Sequence, residues 1–143
     1  VNPQDAGAAS ERRVSVEMID FADGSPIQVD AGMRMNGNAS RNPNRGKHNF
    51  RLAFRNEYGA GKLRFPLFGS DAPTETFNQI ILRGGNGNSW VHPSAAVRQY
   101  GMYIRDQWFR DARFAMGYPE ALQNEVHVYF NFDKNSFLSF QMM

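Results

Sequence analysis

Arg34, Arg41, Arg45 and Lys47 fall in and around a stretch rich in Gly and Asn, GMRMNGNASRNPNRGKHNFRLAFR over residues 32–55, and these residue types together could hold a phosphate. Asn and Gly tolerate positive φ, so a backbone built from Gly37, Asn38, Asn42, Asn44 and Gly46 can turn several N–H groups inward at an anion. The surrounding guanidinium and ammonium groups would add charge-assisted hydrogen bonds. The same composition also suits a long surface hairpin whose basic residues are solvated. A Walker P-loop is excluded, because Gly46-Lys47 is followed by His48 where Ser or Thr is required and Arg41 stands where the first Gly is required. A second glycine-rich stretch, Gly84-Gly85-Asn86-Gly87-Asn88-Ser89, follows Arg83, which could reach the same anion as Lys47; read plainly, it is a flexible connection with an exposed Arg. His48, His92 and His127 share no ligand spacing, so no metal site is assigned to them.

The elements that must position these residues follow from hydrophobic periodicity. Val29, Ala31, Met33 and Met35 alternate with polar residues before the first loop, and Phe50, Leu52 and Phe54 do so after it, so a half-buried strand is expected on each side. Arg13 to Asp20 alternates in the same way, and Ala22 to Pro26 reads as a turn. Leu63 to Gly69 alternates briefly before Pro66 and Gly69 punctuate it, and Ile80-Ile81-Leu82 bounded by Gly84-Gly85 suits a short buried strand. Val126, Val128, Phe130 and Phe132 share a face that excludes His127. The apolar tail at Phe137, Leu138 and Phe140 is either one more strand or an exposed, aggregation-prone segment.

From about Pro93 the period lengthens to that of a helix. Tyr100, Ile104, Trp108 and Ala112 recur every four residues, extended by Val97, Ala115 and Met116, which predicts one amphipathic helix from Ser94 to Ala115 with its aromatic stripe in the core. Asp106 could present an acid to Lys47, or pair locally with Arg110 four residues on. The fold class expected is α+β: a mostly antiparallel sheet of five or six strands with one long helix packed on it.

With 143 residues, 41% hydrophobic and twelve Phe among them, the chain has material for one core and room for one domain. A net charge of +2 is too small to argue nucleic-acid binding, and the absence of Cys excludes disulfides, zinc thiolates and thiol catalysis. No apolar run is long enough to span a membrane.

Several motifs, in order, resemble the CotH-type kinase family, named for spore coat protein H, an atypical kinase-like family widespread in large bacterial proteins. They are Val1-Asn2-Pro3 with Gly7 and Glu11-Arg12, Val14-Ser15-Val16-Glu17, Ala31 to Gly37 with Ser40-Arg41, Lys47 to Leu52, Tyr58-Gly59, Leu63 to Gly69, Leu82-Arg83, Arg105-Asp106 and Val126 to Tyr129. The resemblance runs over residues 1–130 as a partial kinase-like domain, corresponding to the N-terminal part of the family's fold, and leaves 131–143 as a divergent tail.

The resemblance implies binding of ATP with Mg2+, and Ser/Thr kinase activity on a protein substrate of the parent. Lys47 would contact nucleotide phosphates from a strand, with Arg34, Gly37, Ser40 and Arg41 in the neighbouring phosphate-facing loop and Arg83 joining from the second loop. It also implies that the chain is a fragment. After the strand at Val126 the family continues into the segment bearing its metal-binding and catalytic acids, whereas this chain reads Asn131-Phe132-Asp133-Lys134, so no catalytic residue is assigned and no turnover is expected from it alone. The alternative reading is a non-catalytic module of a bacterial surface or spore coat. The first reading expects nucleotide as partner, and neither expects nucleic acid. A bacterial, cell-surface or secreted parent is what the resemblance implies for location.

Overall fold

A computed structural model describes residues 7–19, 26–69, 72–85, 87, 89–130 and 138–142. Residues 22–25 of the expected turn, Asn86 and Asn88 of the second glycine-rich stretch, and Phe132 lie outside the described residues.

The alternating segments form a six-stranded sheet, antiparallel at every pairing. In chain order its strands are β1 (Arg12–Met18), β2 (Ile27–Met35), β3 (Phe50–Ala53), β6 (Gln79–Arg83), β7 (Asn124–Val128) and β8 (Leu138–Met142), and the spatial order is β1-β2-β3-β6-β8-β7. Two short strands, β4 (Leu63–Arg64) and β5 (Thr76–Phe77), make a separate ladder. The residues 138–142 of the divergent tail therefore form a strand between β6 and β7, inside the sheet rather than beyond it. Sequence periodicity alone could not choose between a strand and a free tail; pairing with Leu82 and Arg83 on one side and with Asn124 to Val128 on the other settles it.

Because side chains alternate across a strand, the register assigns each residue a face. Val14, Val16, Val29, Ala31, Leu52, Ile80, Leu82 and Met142 lie on one face and join Phe54, Leu63, Phe65 and Leu67 in a single core. Asn124 Nδ2 donates to the Leu67 carbonyl at 2.7 Å, fixing that covering segment to the start of β7. The opposite face is polar. It carries Arg13 and Asp30, then Gly32, Arg34 and Arg51, then Arg83, Glu125 and His127. Arg83 and Glu125 are both in register with Gln141, one on each side of β8, and so stand two strand spacings apart, about 10 Å.

The single long helix is corrected to two: α1 (Ala95–Arg98) and α2 (Arg105–Ala115). The break falls at Gly101, where Trp90 packs so closely that a Cβ would lie 2.8 Å from its ring, and where the Trp90 Nε1 donates to the Gly101 carbonyl at 3.1 Å. The aromatic stripe is also corrected. Tyr100 is 71% exposed, and Ile104 and Trp108 are each 63% exposed, so the stripe does not enter the core. Instead Asp106, Gln107 and Arg110 turn inward: Asp106 meets Arg83, Gln107 Nε2 donates to the Gln123 carbonyl, and Arg110 pairs with Glu120. The helical period holds in α2, with its orientation reversed. Periodicity gives the faces of a helix, while the sheet it meets here is polar at that place.

Candidate functional site

Loop 37–47 is ordered by its own polar groups. A 3-10 turn at Ala39–Arg41 uses the N–H groups of Arg41 and Asn42, which donate to the carbonyls of Asn38 and Ala39. Asn42 then forms an Asx turn, its Oδ1 and carbonyl accepting from the N–H groups of Asn44 and Arg45. Ser40 is buried, its hydroxyl accepting from the Asn49 N–H and its carbonyl receiving the His48 Nδ1 at 2.6 Å. The N–H groups of Arg41, Asn42, Asn44, Arg45 and Asn49, which could have faced an anion, are thus spent within the loop and its exit. Ser40 is a pin for the loop, Gly37 supplies a positive φ of 83°, and Arg41 is half-buried beside them.

Arg34 belongs to a different cluster. Glu11, with its side chain 1% exposed, receives Arg34 at 3.5 Å and Arg55 at 3.1 Å. Gly32 makes room for this arrangement, since a Cβ there would overlap the Glu11 carboxylate and the Tyr58 ring. The Tyr58 hydroxyl is held protonated up to about 12, first by its hydrogen bond to Glu57 and then by burial and by Glu11. Arg34 is therefore placed to balance a buried carboxylate at the β1–β2 end of the polar face.

Lys47 and Gly84, the residue after Arg83, come together at the other end. Lys47 lies three positions before β3 rather than on it, and it is 7% exposed. Gly84 directly follows β6 and backs onto Lys47; a Cβ on Gly84 would lie 3.1 Å from the Lys47 Cβ and 3.2 Å from the His48 carbonyl. Asn49 Oδ1 accepts the Gly84 N–H at 2.8 Å, tying the two glycine-rich loops to each other. The Lys47 ammonium donates to the Tyr103 hydroxyl at 3.0 Å and sits 5.0 Å from the ring centre. Tyr103 in turn lies across Gly85, whose φ of 65° and open Cα face allow that approach.

The electrostatics follow from this enclosure. Burial lowers the Lys47 ammonium below its ordinary 10.5, and the Glu125 carboxylate opposes part of that shift. Burial and the same carboxylate push Tyr103 up to about 12, so at neutral pH it is a neutral hydroxyl beside a destabilised cation. A lysine held in this state is pre-arranged to gain from an incoming anion.

An open cleft of about 260 Å³ is lined by Arg83, Asp106, Phe109, Arg110, Arg113 and Glu120, and neither Lys47 nor Tyr103 is part of that lining. Arg83 pairs with Asp106 at 2.8 Å, while Arg110 and Arg113 share Glu120, Arg110 at 3.4 Å. Three guanidinium groups in this lining face two carboxylates, which leaves the lining one positive charge in excess. A second cavity, of about 90 Å³, adjoins it and is lined by Arg110, Gln123 and the rings of Phe68 and Phe114. Among the described residues, the buried side-chain atoms without a protein partner are Gln107 Oε1, Arg110 Nε and both amide atoms of Gln123, all at this contact. Each such atom costs roughly 1–3 kcal/mol if water does not reach it, so the polar layer beneath α2 is a poor way to gain stability.

The candidate residues read from sequence thus divide. Lys47 packs against Gly84, the residue after Arg83, while the Arg83 guanidinium pairs with Asp106 in the cleft; Ser40 and Gly37 shape the loop leading to Lys47, and Arg34 is engaged elsewhere. Tyr103 and Glu125 surround Lys47, and Arg110 and Arg113 line the cleft with Arg83; sequence reasoning gave none of these four a place beside the candidates. The i, i+3 spacing of Arg110 and Arg113 was the available signal for the last two. No family model, curated protein or solved structure matches this chain.

Proposed function

We propose that the chain is the phosphate-binding portion of a CotH-type, kinase-like domain, with ATP as the nucleotide and a protein as the parent's phosphoryl acceptor. The observation that carries this reading is the buried Lys47 ammonium beneath the Gly84-Gly85 turn, within a polar layer that also holds Arg83. Enclosed cations that ordinary core packing does not require are what an anionic ligand would repay. Arg83, Arg110 and Arg113, which line the cleft, and Lys47, packed against the Gly84 that follows Arg83, are residue types that suit phosphate oxygens.

The cleft of about 260 Å³ falls below the ~300–1,000 Å³ of a small-molecule site, so it fits a polyphosphate better than a whole nucleotide. Among the described residues no group of three His, Asp or Glu side chains is arranged to hold a metal, so no magnesium ligand is assigned among them. Asp106 and Glu120 are already matched to arginines. Phosphoryl transfer then requires carboxylates supplied from elsewhere in the parent, and this chain by itself binds without turnover. Calorimetric titration with ATP, of the chain and of Lys47→Met, tests the reading: binding that the variant lacks supports it.

A second reading, a non-catalytic surface or coat module, is favoured by a different observation, the aromatic face that α2 turns to solvent. Under that reading Lys47→Met leaves the chain's associations unchanged.

A further inference from the structure

At 100° per residue, Ile104, Ala115, Trp108, Ala112, Met116 and Phe109 fall within an arc of about 140° on α2 and its two caps. This is the outward arc, opposite Asp106, Gln107 and Arg110. Arg105, which lies within the same arc, folds back so that its guanidinium donates to the Tyr100 carbonyl at 3.1 Å. Trp90, held to Gly101, extends the surface at its N-terminal end. Trp90, Tyr100, Ile104, Trp108, Phe109 and Met116 are each more than half exposed in the isolated chain.

Such side chains carry roughly 150–250 Å² apiece, so half-exposure gives about 100 Å² each and about 600 Å² for the six. That matches or exceeds the largest apolar patch on an ordinary monomer, about 300–600 Å². It approaches the ~800 Å² per partner of a stable interface before any polar rim is added.

We infer that this face is the interface of a symmetric dimer of the chain, formed by antiparallel packing of α2 on the α2 of a second copy. The sequence of the arc is self-complementary about residue 110, the midpoint of α2. A two-fold axis there sets Trp108 of each copy against Ala112 of the other, large against small, and Ile104 against Met116. Two-fold packing closes on itself and would cover this face without open-ended association. The inference does not rest on the phosphate site: Phe109 also lines the cleft with Arg83, but Ile104, Trp108, Ala112 and Met116, which set the pairing, do not.

Sedimentation equilibrium of the chain from about 1 to about 100 μM tests it, alongside Trp108→Glu and Ala112→Arg, with circular dichroism to verify folding. The expected result is a monomer–dimer equilibrium for the native sequence, weakened at least about tenfold by either substitution while the dichroism spectrum is kept. A native chain that stays monomeric across the range overturns the inference. So does a dimer that neither substitution weakens, or association that continues past two copies. Where Trp108→Glu fails to fold, Ala112→Arg decides alone, because Ala112 is half-buried on the outward arc and is not a core residue.

Discussion

Replacing Lys47 by Met keeps the length of the side chain and removes its charge, and the structure sets the sign of the result. The substitution loses the hydrogen bond to Tyr103, about 1.5–3 kcal/mol for a charged donor, and a cation–π contact of about 0.5–2 kcal/mol. It regains the desolvation of a buried ammonium, which amounts to several kcal/mol. The lowered pKa of Lys47 gives the sign for removal of the charge, because the charged form is worse off in the fold than in the unfolded chain. Lys47→Met is therefore expected to raise unfolding stability by about 1 kcal/mol at pH 7, or about 3–4 °C in Tm for a domain of this size.

The pH dependence follows from the same shift. Below the lowered pKa both states bind the proton and the penalty is complete. From there up to 10.5 the folded state releases the proton while the unfolded state keeps it, so the native chain gains stability with rising pH and the advantage of the variant shrinks. Urea unfolding followed by far-UV circular dichroism at pH 7 and near pH 10 measures both effects. A variant less stable than the native chain by about 1 kcal/mol or more would make Lys47 a structural residue, contrary to this expectation.

Two further substitutions probe the arrangement around the site. Gly85→Ala places a Cβ 2.7 Å from the Tyr103 ring at a φ of 65°, and a loss of about 2 kcal/mol is expected in the same urea assay, against almost none for Gly87→Ala, which meets nothing within 4 Å. Glu11→Gln leaves Arg34 and Arg55 without their shared carboxylate; because Arg55 is 43% exposed the expected loss is about 2 kcal/mol rather than the ~3–5 of a fully buried pair, read as a fall in Tm.

The sheet was legible because alternation survives in every strand that has one buried face. Met33 and Leu52 are partners across β2 and β3, as their phases required, and Ile80 and Leu82 are buried as their short apolar run implied. The α+β class and the antiparallel arrangement follow from that. What failed was orientation and pairing at a distance. A period of 3.6 residues cannot say whether Trp108 or Arg110 turns toward the sheet, and here the polar side does, because Arg83 offers Asp106 a partner. Residue type likewise marked Arg34 as a cation but could not show that Glu11, twenty-three positions earlier, already engages it. Lys47 and Arg83 each adjoin a glycine-rich loop, and packing at Gly84 joins those two loops, a contact that no sequence pattern announces.

Calorimetric titration of the folded chain with ATP, with and without magnesium and beside Lys47→Met, decides whether Lys47 serves a phosphate. ATP is expected to bind the native chain, and Lys47→Met to abolish the signal while remaining folded. Equal binding by both chains, or none by either, would contradict the assignment of Lys47 and its glycine-rich neighbours as a phosphate site.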